Sequence, residues 1–471
     1  MHAYASEDPL FLAMNERGQR EANIQNFCMN CHAPMAVAAA PPGTVITAAM
    51  LKTLPASQRG ITCYFCHTID GVADTHNNPL HLAGDNVMRG RFTDAVPNEA
   101  HASAYSEFLD GTQLGSAHAC GSCHDIVNDH GAHIERTFEE WQGSVFSAAT
   151  GQTCAQCHLS QSGPELIADG PKAPGVFARV AHDHKMAAVD RALTDFPEID
   201  AQNAAVAYQL DRELQTAICV ASFGPGDAKI AVLTDNYASG HKWLSGAAQD
   251  RQLWFEVTAY AGDTVIYQSG IVTPGVDPKD IADDDLWLIR DCMFDEQGKE
   301  THNFWDAKTY DFNSLPAQIT LNQGSPDFYK SHVSRVFPKP SAMTTIKPFP
   351  DRATLRVWIQ PFPYSVFDDH EKELLSLGYD SNQIKAFRAK LAPMQVSATG
   401  TEPMMPRNPL WTRDLVWTSE IANDPKQGGT TFLNNLIPGI PLKVQMQCVS
   451  LTSLNTKAEV VGAPVHTTCQ P

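Results

Sequence analysis

The chain changes its hydrophobic period once along its length. Through roughly the first third, no apolar/polar alternation persists, and short helical pieces such as "RTFEEWQGSVF" (136–146) stand between loops containing Gly and Pro. Residues 160–180, "SQSGPELIADGPKAPGVFARV", form a connector rich in the same two residues. From Ala201 to Ser222 the spacing predicts a helix, with Leu210, Leu214 and Ile218 on one face. The period then becomes two. "AKIAVLTDN", "AQITLNQ" and "ATLRVWIQPF" read as strands, and "RQLWFEVTAYAGDTVIYQSGIV" reads as a hairpin turning at Gly262-Asp263. A helical pattern at 367–391 interrupts the sheet. The expected fold is α+β and multidomain: a mostly helical and loop domain over 1–185, a helical connector over 186–224, and a β-sandwich-like domain with a helical insertion over 225–471.

The weakly patterned first third holds the chemistry. It carries "CMNCH" (28–32), "CYFCH" (63–67), "CGSCH" (120–124) and "CAQCH" (154–158). A Cys-x-x-Cys pair alone suits zinc, redox cycling or haem attachment. A fifth-position His in all four copies selects the last. Two thiols add across the two haem vinyl groups, and the adjacent neutral imidazole reaches the iron. Cys28, Cys31, Cys63, Cys66, Cys120, Cys123, Cys154 and Cys157 are thus the attachment residues for four c-type haems, with His32, His67, His124 and His158 as proximal ligands. A domain whose core is largely porphyrin needs fewer apolar side chains, which fits the weak pattern.

Cys28 to Cys63 and Cys120 to Cys154 span 35 and 34 positions, and each pair follows a similar segment, "HAYASEDPLFL" or "HASAYSEFL". The text reads as a duplication with a period of about ninety residues; chance similarity in Ala- and Ser-rich sequence is the alternative. The repeat selects His2 and His101, which head those segments, as distal ligands. His133, before "IERTFEEW", is a further candidate, as are His184 and His182 in "VAHDHKM". Along a strand those last two cannot both face one iron, and His184 is preferred, with His182 left to a propionate. His241, in "ASGHKWLSG", is either a ligand or a structural residue, and His118, His81 and His130 are weaker candidates.

Net charge is −19, from 34 basic and 53 acidic side chains, which disfavours nucleic acid. No run of eighteen apolar residues occurs, so no transmembrane segment is expected. Haem attachment of this kind is extracytoplasmic, so an already removed signal peptide is expected. The remaining Cys219, Cys292, Cys448 and Cys469 suggest two disulfides; three connectivities exist, of which Cys219–Cys292 with Cys448–Cys469 is the simplest. The run "DPKDIADDDL" (277–286) offers carboxylates suited to Ca²⁺ but lacks the EF-hand spacing, and a solvated loop is the plainer reading.

With these motifs the chain resembles the tetrahaem branch of the bis-histidine multihaem c-type cytochromes. "CGSCHDI", "RTFEEWQGS" and "GQTCAQCH" are similar to that family's third and fourth haem segment, and "HDHKM" to the histidine segment after it. "NYASGHKWLSGAAQDRQLWFEV" is similar to a loop and strand of the β-domain often appended there, with Leu244 and Ser245 where the family often has Pro and Thr. The resemblance implies closely packed, largely bis-His haems in electron transfer. The partners it implies are redox proteins or an extracellular acceptor. Some relatives form extracellular filaments in which a His of one subunit ligates a haem of the next, an arrangement His2 would suit. The competing function is a multihaem reductase of a small nitrogen or sulfur oxyanion with one open iron. The lysine-bearing motif of some such reductases is absent.

Overall fold

The structure is a computed structural model, which describes residues 1–96, 102–159, 161–166, 175–322, 324–339, 344–398, 413–434, 443–450 and 469. The chain forms two units: Met1–Val206 with Met293–Tyr310 and Val366–Lys390, and Ala207–Cys292 with Asp311–Ser365 and Leu391–Pro471. This division differs from the expected boundaries. Segment 293–310 and the helical insertion belong to the first unit because they are bonded into it. Arg17 and Arg20 both donate to the buried Glu373 carboxylate, Lys52 donates to the Leu377 carbonyl, and Asn128 Nδ2 donates to the carbonyls of Phe304 and Ala307.

In unit 1 the longest N-terminal element is the helix Pro9–Ala22. Asp8 caps it, accepting from the amides of Leu10 and Phe11, and Pro9 supplies a preset φ at the first position. The helix stops at Asn23, which adopts φ 52°. Leu12 enters a small cluster with Met29, Ala33, Ala36, Ile46, Ala48 and Leu51. A Cβ on Gly18 would sit 2.6 Å from Ile24 and 2.7 Å from Trp305, so only glycine fits there. The rest of the unit is made of short helices and two-stranded pairs, including Ile126–Val127 with His133–Glu135 and Gln161–Glu165 with Arg179–His182. The last pair lies where a plain connector was expected.

Unit 2 carries two sheets. One runs, in spatial order, His332–Phe337, Asp227–Asn236, Leu214–Gly224, Lys443–Val449, Gly428–Asn434. The other centres on Gln252–Ala261 and Arg352–Gln360, flanked by Thr264–Ser269, Trp287–Ile289, Met394–Val396 and Leu415–Thr418. The hairpin between Gln252–Ala261 and Thr264–Ser269 turns at Gly262-Asp263, with Gly262 at φ 58°. Trp287 joins the two sheets, stacked at 4.0 Å on Phe255 of its own sheet and 6.5 Å from Phe337 of the other.

Three expectations are corrected here. The helix read over 201–222 ends at Leu210, and Leu214–Gly224 is a strand. Residues 317–322 of "AQITLNQ" form no strand. The disulfides are Cys219–Cys448 and Cys292–Cys469, not the simplest pairing. The first follows from register, because Cys448 lies directly across from Cys219 on the adjacent strand. Among the described residues no helix is long and apolar enough to cross a membrane.

Candidate functional site

Three of the Cys-x-x-Cys-His segments start or form a helical turn, and the third, at 120–124, lies across the end of the helix Gly115–Gly121. Thr62 caps Cys63–His67 and Thr153 caps Cys154–His158, each side chain accepting from an amide three residues on. That is the physical content of the shared Thr in "GITCYFCH" and "GQTCAQCH". One turn places both thiols and the imidazole on neighbouring positions. All eight motif cysteines are free thiols, whereas the other four are paired in disulfides.

In all four motif histidines Nδ1 lies against an acceptor oxygen. Nδ1 of His32 lies 3.4 Å from the Ala5 carbonyl, that of His67 2.5 Å from the Arg89 carbonyl, and that of His158 3.1 Å from the Ala187 carbonyl. Nδ1 of His124 lies 3.4 Å from a carboxylate oxygen of Glu135. These oxygens can only accept, so each Nδ1 carries the proton. Nε2 is left as a lone pair, as a metal-ligating histidine requires. Phe11 stacks on the His32 ring at 4.0 Å with the planes 6° apart, which fixes that ring further.

Two of these rings face a second imidazole. His2 lies opposite His124 with ring centres 6.0 Å apart, and His184 opposite His67 at 6.5 Å. An imidazole–metal bond of about 2.0–2.1 Å on each side, plus roughly 1.1 Å from nitrogen to ring centre, separates the centres by roughly 6.3 Å. Both pairs therefore fit one iron between two imidazoles.

Burial favours the neutral forms. It pushes His32 and His158 below the usual imidazole range, and His2 down to about 3, where the nearby His124 adds like-charge repulsion. Burial acts the same way on His124, but the hydrogen bond and charge of Glu135 outweigh it and the net shift is upward. His124 keeps 49% of its side chain accessible even so, and Cys63, Cys120 and Cys157 are exposed. Other contacts connect the motifs: Asn78 donates from its amide to the Ser122 carbonyl and from Nδ2 to the Asn30 carbonyl, and Cys154 packs against Ala117 and Phe138, which flank the third motif. The third motif thus adjoins the first and the fourth.

The other sequence candidates are placed as follows. His101 lies outside the described residues. His182 is held by its neighbours, with Nδ1 2.8 Å from the Leu159 carbonyl and Nε2 against Arg91. His133 faces no motif ring among the described contacts. It sits on a strand, where alternation buries Ile134 and leaves His133 exposed, with Glu139 3.8 Å away. His241 belongs to unit 2, where its Nδ1 is 2.8 Å from the Lys242 carbonyl. His118 Nδ1 lies 3.2 Å from the Leu114 carbonyl and its ring meets the edge of Phe138. His81 pairs with Asp70, and His130 with Lys308. In the acidic run, Asp277 accepts from the amides of Tyr364 and Ser365, and Asp283 and Asp285 accept from Gly270 and Lys339. Those carboxylates hold the fold, and among the described residues no three His, Cys, Asp or Glu side chains gather as a bare metal site. Sequence reading missed Glu135, Phe11 and the three anchoring carbonyls. No motif signals a carbonyl that comes from another segment.

No protein-family model matches the chain, and no curated protein matches it. Among solved structures, a penta-heme cytochrome c552 from Thermochromatium tepidum is similar over 84% of this chain and 93% of its own, with a TM-score of 0.52 and 16% identity. The chain shares the fold of a multihaem cytochrome. At that identity the likeness is one of architecture, and it covers both units.

Proposed function

We propose that the chain is an extracytoplasmic multihaem c-type cytochrome that transfers electrons through four covalently attached haems. The observation that carries this reading is the pair of facing imidazole couples, His2–His124 and His67–His184, at the separation one iron needs. The four Cys-x-x-Cys-His motifs, the proton-bearing Nδ1 atoms and the shared fold of a penta-heme protein support it.

In this reading each cysteine pair fixes one porphyrin edge and the next histidine offers Nε2. Carbonyls and Glu135 hold those rings in one tautomer and one orientation. His2 and His184 would supply the second imidazole for two of the irons without adding a charge, because burial keeps His2 neutral near pH 7. When bound, a c-type haem supplies an iron that alternates between ferric and ferrous states. Two imidazoles held at a fixed separation change little between those states, which favours electron transfer over substrate binding.

The finer form of the reading is a subunit of an extracellular filament. An edge strand such as Gly428–Asn434 offers backbone groups to a second copy. Mass spectrometry of the purified protein tests the main reading, with the mass of the polypeptide plus four haems expected. The ferric spectrum should be low-spin for the His67 and His124 irons. A high-spin fraction that shifts with nitrite would instead identify an oxyanion reductase. Electron microscopy showing only dispersed monomers would remove the filament form.

A further inference from the structure

The four motif histidines are not anchored alike. Nδ1 of His32, His67 and His158 donates to a main-chain carbonyl, while Nδ1 of His124 donates to the Glu135 carboxylate at 3.4 Å. The fold holds that carboxylate in place. Glu135 ends the strand His133–Glu135, which pairs Ile126 with Glu135 just after the third motif. Ile134, between His133 and Glu135, is 2% exposed and packs with Ala132, Met293 and Ala307, so Glu135 projects from the opposite face. The Phe138 amide donates to the His124 carbonyl at 3.1 Å, tying the next helix to the same ligand. Only 23% of the Glu135 side chain is accessible, so water screens its charge weakly.

A carboxylate draws the Nδ1 proton harder than a carbonyl does and makes the imidazole a stronger donor. A stronger donor, and a negative charge nearby, stabilise ferric iron over ferrous. The ligand across from it does not compensate. Nδ1 of His2 is buried and has no hydrogen-bond partner among the described residues. Resting on the reading of the four motifs as haem sites, we propose that Glu135 makes the haem held by Cys120, Cys123 and His124 the last of the four to be reduced. The couple is one electron with no proton transferred, and Glu135 is a positioning residue that acts through His124. Because Asn78 ties the third motif to the first and Cys154 of the fourth packs beside it on Ala117 and Phe138, this low-potential station lies beside two others. Electrons arriving at those neighbours would be held there in preference to the third site.

Spectroelectrochemical titration of the four-haem protein tests this, with an electrode as the electron source. Glu135→Gln should move the lowest of the four waves upward by about tenfold in its ferric-to-ferrous ratio at fixed potential, equivalent to about 59 mV for one electron, and leave the other three in place. Glu135→Asp keeps the charge but shortens the reach, and should move the same wave in the same direction by less. Glu139→Gln removes a neighbouring charge without touching His124 and should move none. The proposal is overturned if the lowest wave stays put in both Glu135 variants, if a different wave moves, or if Glu139→Gln reproduces the shift. Haem content measured on the same samples separates the two failures. Four haems with unchanged waves sink only the role of Glu135, and a protein without haem sinks the parent reading.

Discussion

The two units bury their interiors in different ways. In unit 2, eight successive residues of the Leu214–Gly224 strand are buried, and Trp287, Trp417, Phe255 and Phe337 are fully enclosed. Unit 1 has small clusters built from residues such as Ala33, Ala36 and Ala48, or Ala117 with Phe138 and Trp141. It also leaves both side-chain polar atoms of the buried Asn15 without a partner among the described residues. Unit 2 is stabilised by its own apolar side chains. Unit 1 is arranged around free thiols and imidazoles, and by the proposed function its apolar contacts are completed by porphyrin. The two should therefore respond oppositely to attack on the motifs and attack on the side-chain core.

The largest separation is expected from the double change Cys120→Ser with Cys123→Ser. It should lower the haem count by one, and limited proteolysis followed by mass spectrometry should show early cuts in residues 102–159. Peptides of the two unit 2 sheets should stay protected. Equal loss of protection in both units would show that they do not differ in this way. The converse change is Trp287→Ala. Removing a fully buried indole stacked on Phe255 should cost about 3–5 kcal/mol, read as a lower unfolding midpoint of unit 2. The haem absorbance should keep its wild-type spectrum before that transition.

The same contrast explains what was legible in the sequence. The four Cys-x-x-Cys-His motifs were readable because the chemistry proposed for them fixes their residues at consecutive positions, whatever the surrounding fold. The distal ligands of the proposed function carry no such constraint. His2 and His184 reach His124 and His67 from far along the chain, and only the first was marked by the repeat. The direction of His133 was not readable, because strand alternation and not a helical turn sets it. The strand at Leu214 was read as helix because both its faces are buried. An uninterrupted apolar run carries no period, so Leu210, Leu214 and Ile218 could be laid on a helical stripe by chance. The hairpin at Gly262-Asp263 had a turn signal between two strand-forming runs, and its position was readable. The disulfide pairing was not, since it depends on which strands lie side by side.

That pairing supplies the next test. Cys219–Cys448 closes a separation of 229 residues, so replacing both by Ala should destabilise unit 2 by about 2–4 kcal/mol. Denaturant titration followed by tryptophan fluorescence measures it, and the haem spectrum in the native baseline should not change. A similar loss in unit 1 would show that its stability is set by the strands of unit 2 and not by its own contacts.

The smallest effect concerns one half-buried carboxyl in each unit. Burial raises Glu213 in unit 2 to about 7 from 4.5, against the opposing hydrogen bond that Ser239 donates at 2.6 Å. Asp8 in unit 1 is raised to about 6 from 3.8, again mainly by burial. Between the unfolded and folded values the native chain keeps a proton that the unfolded chain has released. Unfolding free energy therefore falls as pH rises through the window, from 4.5 to about 7 for Glu213 and from 3.8 to about 6 for Asp8. Glu213→Gln keeps the shape and a hydrogen-bond acceptor for Ser239 but cannot ionise. It should flatten the pH dependence of the unit 2 midpoint above pH 4.5 and leave the Asp8 window of unit 1 as it was. An unchanged slope in unit 2 would mean that Glu213 is ionised in the folded protein, with burial outweighed by a favourable partner.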